Sequence, residues 1–213
     1  MAPVSFRTTD MRLSGSRLRL ALLCAATLGM TTLAMTTLAQ SAFAGDPAPA
    51  APDILGRFAR PADGIHAGGR IAADDLPALR AAGIVRVIDL TPDSETPGFD
   101  EAGAVRAAGL AYDNLPIAGA ADLDLAAVAA FDQLLRQAQG PTLVHCASGN
   151  RLGALVALRA AWLQGTDDEA AIAEGRRWGL RGLEGEVRQR LLRARCLAAA
   201  PSQDSAAACA AGG

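Results

Sequence analysis

The chain lacks lysine altogether, so its 20 basic residues are all arginine, and aromatic residues make up only 4% of it. The core of these 213 residues must therefore come from leucine, valine, isoleucine and alanine, and the length is sufficient for one domain. Positive charge is not in excess either. Beyond residue 44 there are 16 arginines and 21 acidic residues, so the net charge of this part is about −5. A nucleic-acid partner is not expected, because such partners usually require a basic face.

The first 44 residues have the pattern of a signal peptide. Three arginines precede an apolar run over residues 20–38, and Ala42-Phe43-Ala44 has the A-x-A form of a cleavage site. The sequence therefore predicts a bacterial protein that is exported to the periplasm or secreted. It would start at about Gly45 and have no membrane segment after cleavage. An uncleaved membrane anchor is the alternative, because the apolar run is long enough to span a bilayer.

The rest of the chain alternates between strand and helix patterns. Residues 45–60 are expected to be a linker and lead-in, 61–197 the domain, and 198–213 a flexible tail. The β-branched run from Ile84 to Leu90 indicates a buried parallel strand, and Pro141 to His145 the central strand. The alternation predicts an α/β fold, a three-layer α/β/α sandwich with a mainly parallel central sheet.

Weaker patterns predict the remaining elements. The segment from Ile65 to Gly69 is expected to be a short edge strand that ends in a glycine turn, and Leu110 to Ile117 a further strand. Asp124 is expected to cap the helix that follows it. Thr166 is expected to cap another helix, with Glu169 three residues later as in a capping box.

The most informative stretch is Val144-His145-Cys146-Ala147-Ser148-Gly149-Asn150-Arg151. An apolar strand leads into a small glycine-bearing loop, and Arg151 then opens a long apolar helix. Such a loop points backbone N–H groups inward, and together with the helix dipole and the guanidinium it forms a cradle for an anion. This field favours the thiolate of Cys146, which is the reactive form of a cysteine. The pattern predicts a cysteine nucleophile that faces an oxyanion.

This stretch also carries a family resemblance. His145-Cys146-x-x-Gly149-x-Arg151, followed by Gly153-Ala154-Leu155, resembles the signature loop of the dual-specificity and protein tyrosine phosphatase-like cysteine phosphatases, and most closely their beta-lactamase-hydrolase-like branch. The flanking segments that agree in order are Gly68-Gly69-Arg70, Ala82 to Leu90, Ala107 to Tyr112, Leu115-Pro116-Ile117 and Ala173 to Arg176. The resemblance covers about residues 53–192 and implies the cysteine phosphatase-like fold.

The resemblance also implies the roles of the loop residues. Cys146 would be the nucleophile, and Arg151 would hold two oxygens of the transferred group. Ala147, Ser148, Gly149 and Asn150 would bind the phosphate with Arg151, although Ser148 and Asn150 are also suited to bracing the loop. His145 would support the loop rather than act as a base. No metal and no organic cofactor is implied.

The general acid is the least determined part of the site. Protonation of a leaving group requires a carboxyl group on a facing loop, and Asp122 has the best position, in the loop after Ile117. Asp93 and Glu95, in the loop after Leu90, are alternatives. At the position where the related phosphatases usually carry this acid, the chain has Ala118-Gly119.

Two further departures keep other functions open. Four residues separate Cys146 from Arg151, where classical phosphatases have five, and Leu152 replaces their serine or threonine. The short spacing also resembles the loop of rhodanese sulfurtransferases, in which the cysteine carries a persulfide. The absence of an acid at Ala118-Gly119 is also compatible with a non-catalytic module that binds phosphate or sulfate.

The expected function is nevertheless an exported hydrolase of phosphate monoesters that works through a cysteinyl-phosphate. Its substrate would be a phosphorylated protein or a small phosphate ester, and the sequence does not predict the oligomeric state. Of the four cysteines, Cys24 lies in the apolar N-terminal run. Cys196 and Cys209 are expected to pair in an oxidising compartment, the alternative being that both are free. Cys146 would remain as the working thiol.

Overall fold

The computed structural model describes residues 53–200 and Cys209. The predicted signal peptide and most of the predicted tail lie outside these residues. A five-stranded sheet is formed by β1 (Ala59–Ala62), β2 (Ile65–Gly68), β3 (Arg86–Asp89), β4 (Ala111–Asn114) and β5 (Thr142–His145). The strand order is β1-β2-β5-β3-β4, and only β1 is antiparallel to its neighbour. The predicted mainly parallel sheet is therefore confirmed, with β5 at its centre.

Helices cover both faces of the sheet. They are α1 (Leu76–Ala81), α2 (Glu101–Ala107), α3 (Leu125–Gln137), α4 (Asn150–Gln164), α5 (Asp168–Arg177) and α6 (Glu184–Ala199). Val87 and Leu143 pack into the core on the α1–α2 face, whereas their neighbours Ile88 and Val144 pack on the α3–α6 face. Both faces of β3 and β5 are thus buried, which explains their continuous apolar sequences. The three-layer prediction is confirmed.

The edge position predicted for the segment at Ile65 is wrong. β1, in the segment expected to be a lead-in, pairs antiparallel with β2 and takes the edge itself. The hairpin is possible because Gly64 adopts a φ of +70°, a conformation that glycine reaches without a steric penalty. β2 is consequently an inner strand, bonded to β5 on its other side.

The cap predicted at Thr166 is also wrong. Asp167 caps α5 instead, and its side chain accepts a hydrogen bond from the backbone N–H of Ala170 at 3.0 Å. The N–H of Thr166 donates to the carbonyl of Ala160 and so closes the end of α4, after Gly165 has turned the chain at a φ of +69°. Thr166 therefore closes the end of α4 instead of capping the start of α5.

The fold brings several chain segments to the edge of the sheet that is formed by the carboxyl ends of the parallel strands. The ends of β2, β3 and β5 lie side by side, with His145 in register with both Gly68 and Asp89. α4 starts at this edge and is almost entirely buried along its first three turns. Close approach of α4 to the following segment depends on Gly153, where an added Cβ would lie 2.1 Å from the nitrogen of Leu180. No helix among residues 53–200 has the length and hydropathy to cross a membrane.

Candidate active site

Cys146 follows β5 directly and is fully buried. Its own N–H donates to the carbonyl of Gly68 at 3.3 Å, which ties the end of β5 to the end of β2. The N–H of Gly149 donates to the Cys146 sulfur at 3.1 Å. The loop thus closes over the sulfur with a backbone donor, which fixes the sulfur atom inside the turn that leads into α4.

The loop from Ala147 to Gly149 is shaped by one glycine and held by one neighbouring segment. Gly149 adopts a φ of +84° at the start of α4. Ser148 forms an isolated β-bridge with Gly69, and the carbonyl of Ala147 accepts a hydrogen bond from the N–H of Arg70 at 3.4 Å. Ala147 and Ser148 are exposed, and among the described residues their N–H groups have no hydrogen-bond partner. These two donors are available to an anion.

Arg151, in the first turn of α4, is 9% exposed and points into the site. Its two terminal nitrogens donate to the two carboxylate oxygens of Glu95 at 2.7 and 2.8 Å, and one of them also donates to the carbonyl of Ile117. The hydrogen bonds with Glu95 are the first cause of the raised pKa of Arg151, and a smaller contribution comes from Cys146. The guanidinium is therefore a permanent cation next to the sulfur.

Glu95 is poorly suited to the acid role that remained open for it. The hydrogen bonds from Arg151 hold the pKa of Glu95 below its ordinary value of 4.5, and this effect outweighs that of partial burial. A carboxyl group in this state holds no proton to donate at neutral pH. Glu95 instead orients Arg151, and sequence reasoning missed this partnership because the two residues are 56 positions apart.

Asp122 lies on the loop that follows β4, at the end of a short 3₁₀ turn, and is exposed. Its carboxylate accepts hydrogen bonds from the N–H groups of Ala118 at 2.7 Å and Gly119 at 3.3 Å. Ile117, at the start of this loop, contacts Arg151 through its carbonyl, and Arg190 of α6 donates to the carbonyl of Ala120. The loop is thus attached to the site, and the acid role of Asp122 stays a prediction.

The remaining candidates have defined places. Asp124 caps α3 as predicted, accepting the N–H of Ala127 at 2.8 Å, and Asp93 is exposed.

The side chain of Asn150 accepts hydrogen bonds from the N–H groups of Arg181 and Leu183. Asn150 therefore braces the loop against the segment between α5 and α6. The hydrogen bond to the Cys146 sulfur comes from the N–H of Gly149 and not from Asn150. Leu152 is fully buried in the core.

A buried polar network lies behind the loop. His145 Nε2 is 2.7 Å from Glu101 Oε1 and 3.7 Å from Asp89 Oδ1. The Tyr112 hydroxyl donates to Asp89, as does the side-chain amide of Asn114. Burial, followed by the charge of Asp89, raises the pKa of Tyr112, so the phenol keeps its proton. This network fixes the residue before the cysteine, consistent with the supporting role expected for His145.

The sequence contained a partial signal for this network. Asp89 is a charged residue near the end of a strand run whose only other charged residue is Arg86, whereas Glu101 is an ordinary first-turn acid of α2. Ligand-type atoms of Asp89, Glu101 and His145 all lie within 4.8 Å of one another. The 2.7 Å contact between His145 and Glu101 is nevertheless that of a hydrogen bond, since two ligands of one metal ion at about 2.0–2.2 Å are usually farther apart.

The three cysteines of the described residues separate into two kinds. Cys196, in α6, forms a disulfide with Cys209, with their Cα atoms 5.7 Å apart. Cys146 is a free thiol. The site therefore has one unpaired sulfur, which is the one held by Gly149.

A mainly parallel sheet whose central strand ends in a buried cysteine, followed by an amide-bearing loop and a helix that starts with arginine, defines a cysteine phosphatase-like α/β domain. The fold is similar to that of a provisionally assigned phosphatase from Neisseria meningitidis Z2491, with 24% identity and a TM-score of 0.54 over 63% of this chain and 96% of that one. It is also similar to kinase-associated phosphatase, with 21% identity and a TM-score of 0.50 over 64% of this chain and 87% of that one. The predicted fold class is confirmed.

The family likeness is more specific. Residues 61–162 match the phosphatase-like domain of the beta-lactamase hydrolase-like protein. A protein of that name from Agrobacterium fabrum is 37% identical over 81 residues, 36% of this chain. This chain spans only about a fifth of the length of that relative, since the match covers 19% of it. The resemblance drawn from the signature loop and its flanks is confirmed, and residues 61–162 are similar to a phosphatase-like domain.

Proposed function

We propose that the domain hydrolyses phosphate monoesters with Cys146 as the nucleophile. The observation that supports this most is the loop itself, in which Gly149 donates to the Cys146 sulfur at 3.1 Å and Arg151 follows two residues later. A phosphate in this loop would meet the unpaired N–H groups of Ala147 and Ser148, the Arg151 guanidinium and the positive end of the α4 dipole. The match to a phosphatase-like domain supports the same proposal.

In the first proposed step, the Cys146 thiolate attacks phosphorus, and the bond from phosphorus to the ester oxygen breaks as the sulfur–phosphorus bond forms. Arg151 and the loop amides stabilise the charge on the non-bridging oxygens. The leaving oxygen takes a proton from Asp122. In the second step, water attacks phosphorus, its proton goes to Asp122, and the sulfur–phosphorus bond breaks to release phosphate and the thiolate.

The second step places a particular demand on Gly149. A hydroxyl after the arginine would help the thiolate to leave, but Leu152 occupies that position and is buried in the core. The Gly149 N–H is already bonded to the sulfur. This backbone donor therefore takes over the stabilisation of the departing thiolate in the proposed reaction.

A sulfurtransferase is the second candidate, and a non-catalytic anion-binding module is the third. Four residues between Cys146 and Arg151 favour the sulfurtransferase, because this spacing is that of the rhodanese loop. The Asp122 carboxylate, which is bonded to the amides of its own loop, favours either candidate, because neither requires a proton donor.

A side-by-side assay tests the three functions on the purified protein, with an aryl phosphate in one arm and thiosulfate plus cyanide in the other. We expect aryl phosphate turnover to exceed sulfur transfer, and Cys146→Ser to reduce it to background. The matched control is the Cys196→Ser/Cys209→Ser double variant, which removes both other described cysteines and should retain turnover. Faster sulfur transfer would establish the sulfurtransferase, and phosphate binding without either turnover the binding module.

We further propose that the protein acts outside the cytoplasm, on a phosphorylated protein or a small phosphate ester. The signal-peptide pattern of residues 1–44 supports export, as does the disulfide between Cys196 and Cys209, because disulfides persist in oxidising compartments. N-terminal sequencing of protein from the cell envelope should return a start near Gly45. A start before Ala42 would contradict cleavage and favour a membrane anchor.

A further inference from the structure

Arg70 lies directly beside the loop of the candidate active site. It follows Gly69, which forms the β-bridge with Ser148, and its own N–H donates to the carbonyl of Ala147. The Arg70 side chain is 45% exposed and makes no hydrogen bond with any residue of the described chain. A guanidinium has five N–H donors in a fixed fork. These donors are therefore available at the rim of an anion cradle.

Arg70 is linked to Arg151 through a single carboxylate. Oxygen Oε2 of Glu95 lies 2.8 Å from Nη2 of Arg151 and 3.6 Å from Nη2 of Arg70. Glu95 is bound to Arg151 by two hydrogen bonds, whereas its contact with Arg70 is longer than a hydrogen bond. The two guanidinium groups thus lie close enough for one small anion with two charged groups to reach both, and of the two only Arg151 is hydrogen-bonded to the carboxylate.

A groove of about 490 Å³ adjoins the site at Arg70 and Glu95, both of which line it. Its walls are residues 70–74 and 95–99, and Arg70 is its only basic lining residue in the described chain. Phe99 supplies an apolar wall, and Asp74 and Glu95 are its acids. A substrate over Cys146 that extends past Glu95 would reach this groove, where Arg70 supplies the positive charge among the described lining residues.

We propose that Arg70 is a specificity-determining residue that binds a second anionic group of the substrate while the first phosphate lies over Cys146. The preferred substrate class is then a phosphate ester that carries a further phosphate or carboxylate near the ester bond. This inference rests on the proposed phosphatase function. It assigns Arg70 no part in the chemical steps, because its side chain contacts neither the sulfur nor Arg151.

The test measures the affinity for two anions, inorganic phosphate and methylenebisphosphonate, which is a non-hydrolysable ligand with two anionic groups. Thermal-shift titrations of the purified protein yield both affinities without any turnover. We expect the bisphosphonate to bind about tenfold more tightly than phosphate, as one further charge-assisted contact would give. Arg70→Gln should remove this preference, and Arg70→Lys should keep part of it.

Arg136→Gln is the matched control, because Arg136 is 70% exposed in the last turn of α3, at the opposite edge of the sheet. It should leave the preference unchanged. If wild-type protein binds phosphate but binds the bisphosphonate no better, this inference is wrong and the proposed function is unaffected. Equal weakening of both ligands by Arg70→Gln would also overturn it, since Arg70 would then act on the cradle itself. Failure of wild-type protein to bind either anion would reject the anion cradle and this inference with it.

Discussion

The loop that carries Cys146 and the loop that carries Asp122 lie at the same edge of the sheet but are held in different ways. The cysteine loop is fixed from several sides: by β2 through Gly68, by the Arg70 N–H, and by the segment after α5 through Asn150. The Asp122 side chain is exposed, and within the described residues it bonds only to amides of its own loop. The proposed nucleophile is therefore preorganised, whereas the position of the proposed acid depends on a surface loop.

This difference indicates where catalytic power would be built into the molecule. Preorganised donors cost no rearrangement at the moment of reaction, so the cysteine loop should stabilise the transition state at its full strength. A carboxyl group on an exposed loop contributes only when it reaches the leaving oxygen. The domain should therefore favour esters with good leaving groups, which need little protonation.

Of the effects that bear on this comparison of the two loops, the largest expected one concerns Asp122. We expect Asp122→Asn to lower turnover by about 10²–10³-fold for phosphate esters with poor, high-pKa leaving groups and very little for p-nitrophenyl phosphate. Asparagine keeps an oxygen that can accept the N–H groups of Ala118 and Gly119, so the loop should be preserved. The measurement is kcat/KM across a series of aryl phosphates that differ in leaving-group pKa.

Asp124→Asn is the control for this comparison. It makes the same chemical change two residues away, at the cap of α3, where asparagine caps a helix as well as aspartate. It should change turnover equally little for every leaving group. A response to Asp122→Asn that is flat across the series would remove Asp122 from the mechanism and leave Asp93 or water as the donor.

The sequence predicted the parts that depend on local pattern. The β-branched run at Val87 and Ile88, and the strand, loop and helix around Cys146, have strong local signals, and both appear in the structure. The edge strand was mistaken because β1 is short and contains Pro61, which weakens a strand pattern. Asp167 capped α5 in place of Thr166 because the end of α4 uses Thr166.

The parts of the site that escaped prediction are long-range pairs. Glu95 is 56 residues from Arg151, and Glu101 is 44 residues from His145. Single residues of this kind have no periodicity, and only the folded sheet brings them to the same edge. Sequence reasoning therefore identified the chemical groups of the loop, whereas the residues that orient those groups had to be seen in three dimensions.

The second prediction concerns the backbone of the cysteine loop. Gly149 has a φ of +84°, and an added Cβ there would make only ordinary contacts, so Gly149→Ala tests the backbone conformation alone. We expect the free energy of unfolding to fall by about 1–2 kcal/mol. We expect turnover to fall by about tenfold, because relief of the strain would move the N–H that is bonded to the sulfur.

Gly165→Ala separates these two effects. Gly165 has a φ of +69° at the other end of α4, with no atom near the added Cβ. Chemical denaturation should show a similar loss of stability in both variants, and the aryl phosphate assay a loss of turnover only for Gly149→Ala. Equal turnover in the two variants would show that the bond from Gly149 to the sulfur is not used in the reaction.

The smallest expected effect concerns the ion pair that joins the β3 loop to the cysteine loop. Arg151 lowers the pKa of Glu95 below 4.5, so this pair stabilises the fold fully above pH 4.5. The contribution is lost as the pH falls through the lower pKa of the folded state. We expect Glu95→Gln to reduce the free energy of unfolding by at most about 1 kcal/mol at pH 7, because the carboxylate is partly exposed, and by less at pH 3.

Glu169→Gln supplies the surface comparison for this last prediction. Glu169 forms a similar two-bond pair with Arg188, but its side chain is 73% exposed, so solvent should screen that pair almost completely. Urea denaturation of both variants at pH 7 and pH 3 is the measurement. A loss for Glu95→Gln that persists unchanged at pH 3 would mean that its effect comes from packing rather than from the charge held by Arg151. Equal losses in the two variants at pH 7 would mean that solvent screens the pair between Glu95 and Arg151 as strongly as the surface pair between Glu169 and Arg188. Arg151 would then not share the preorganisation of the cysteine loop.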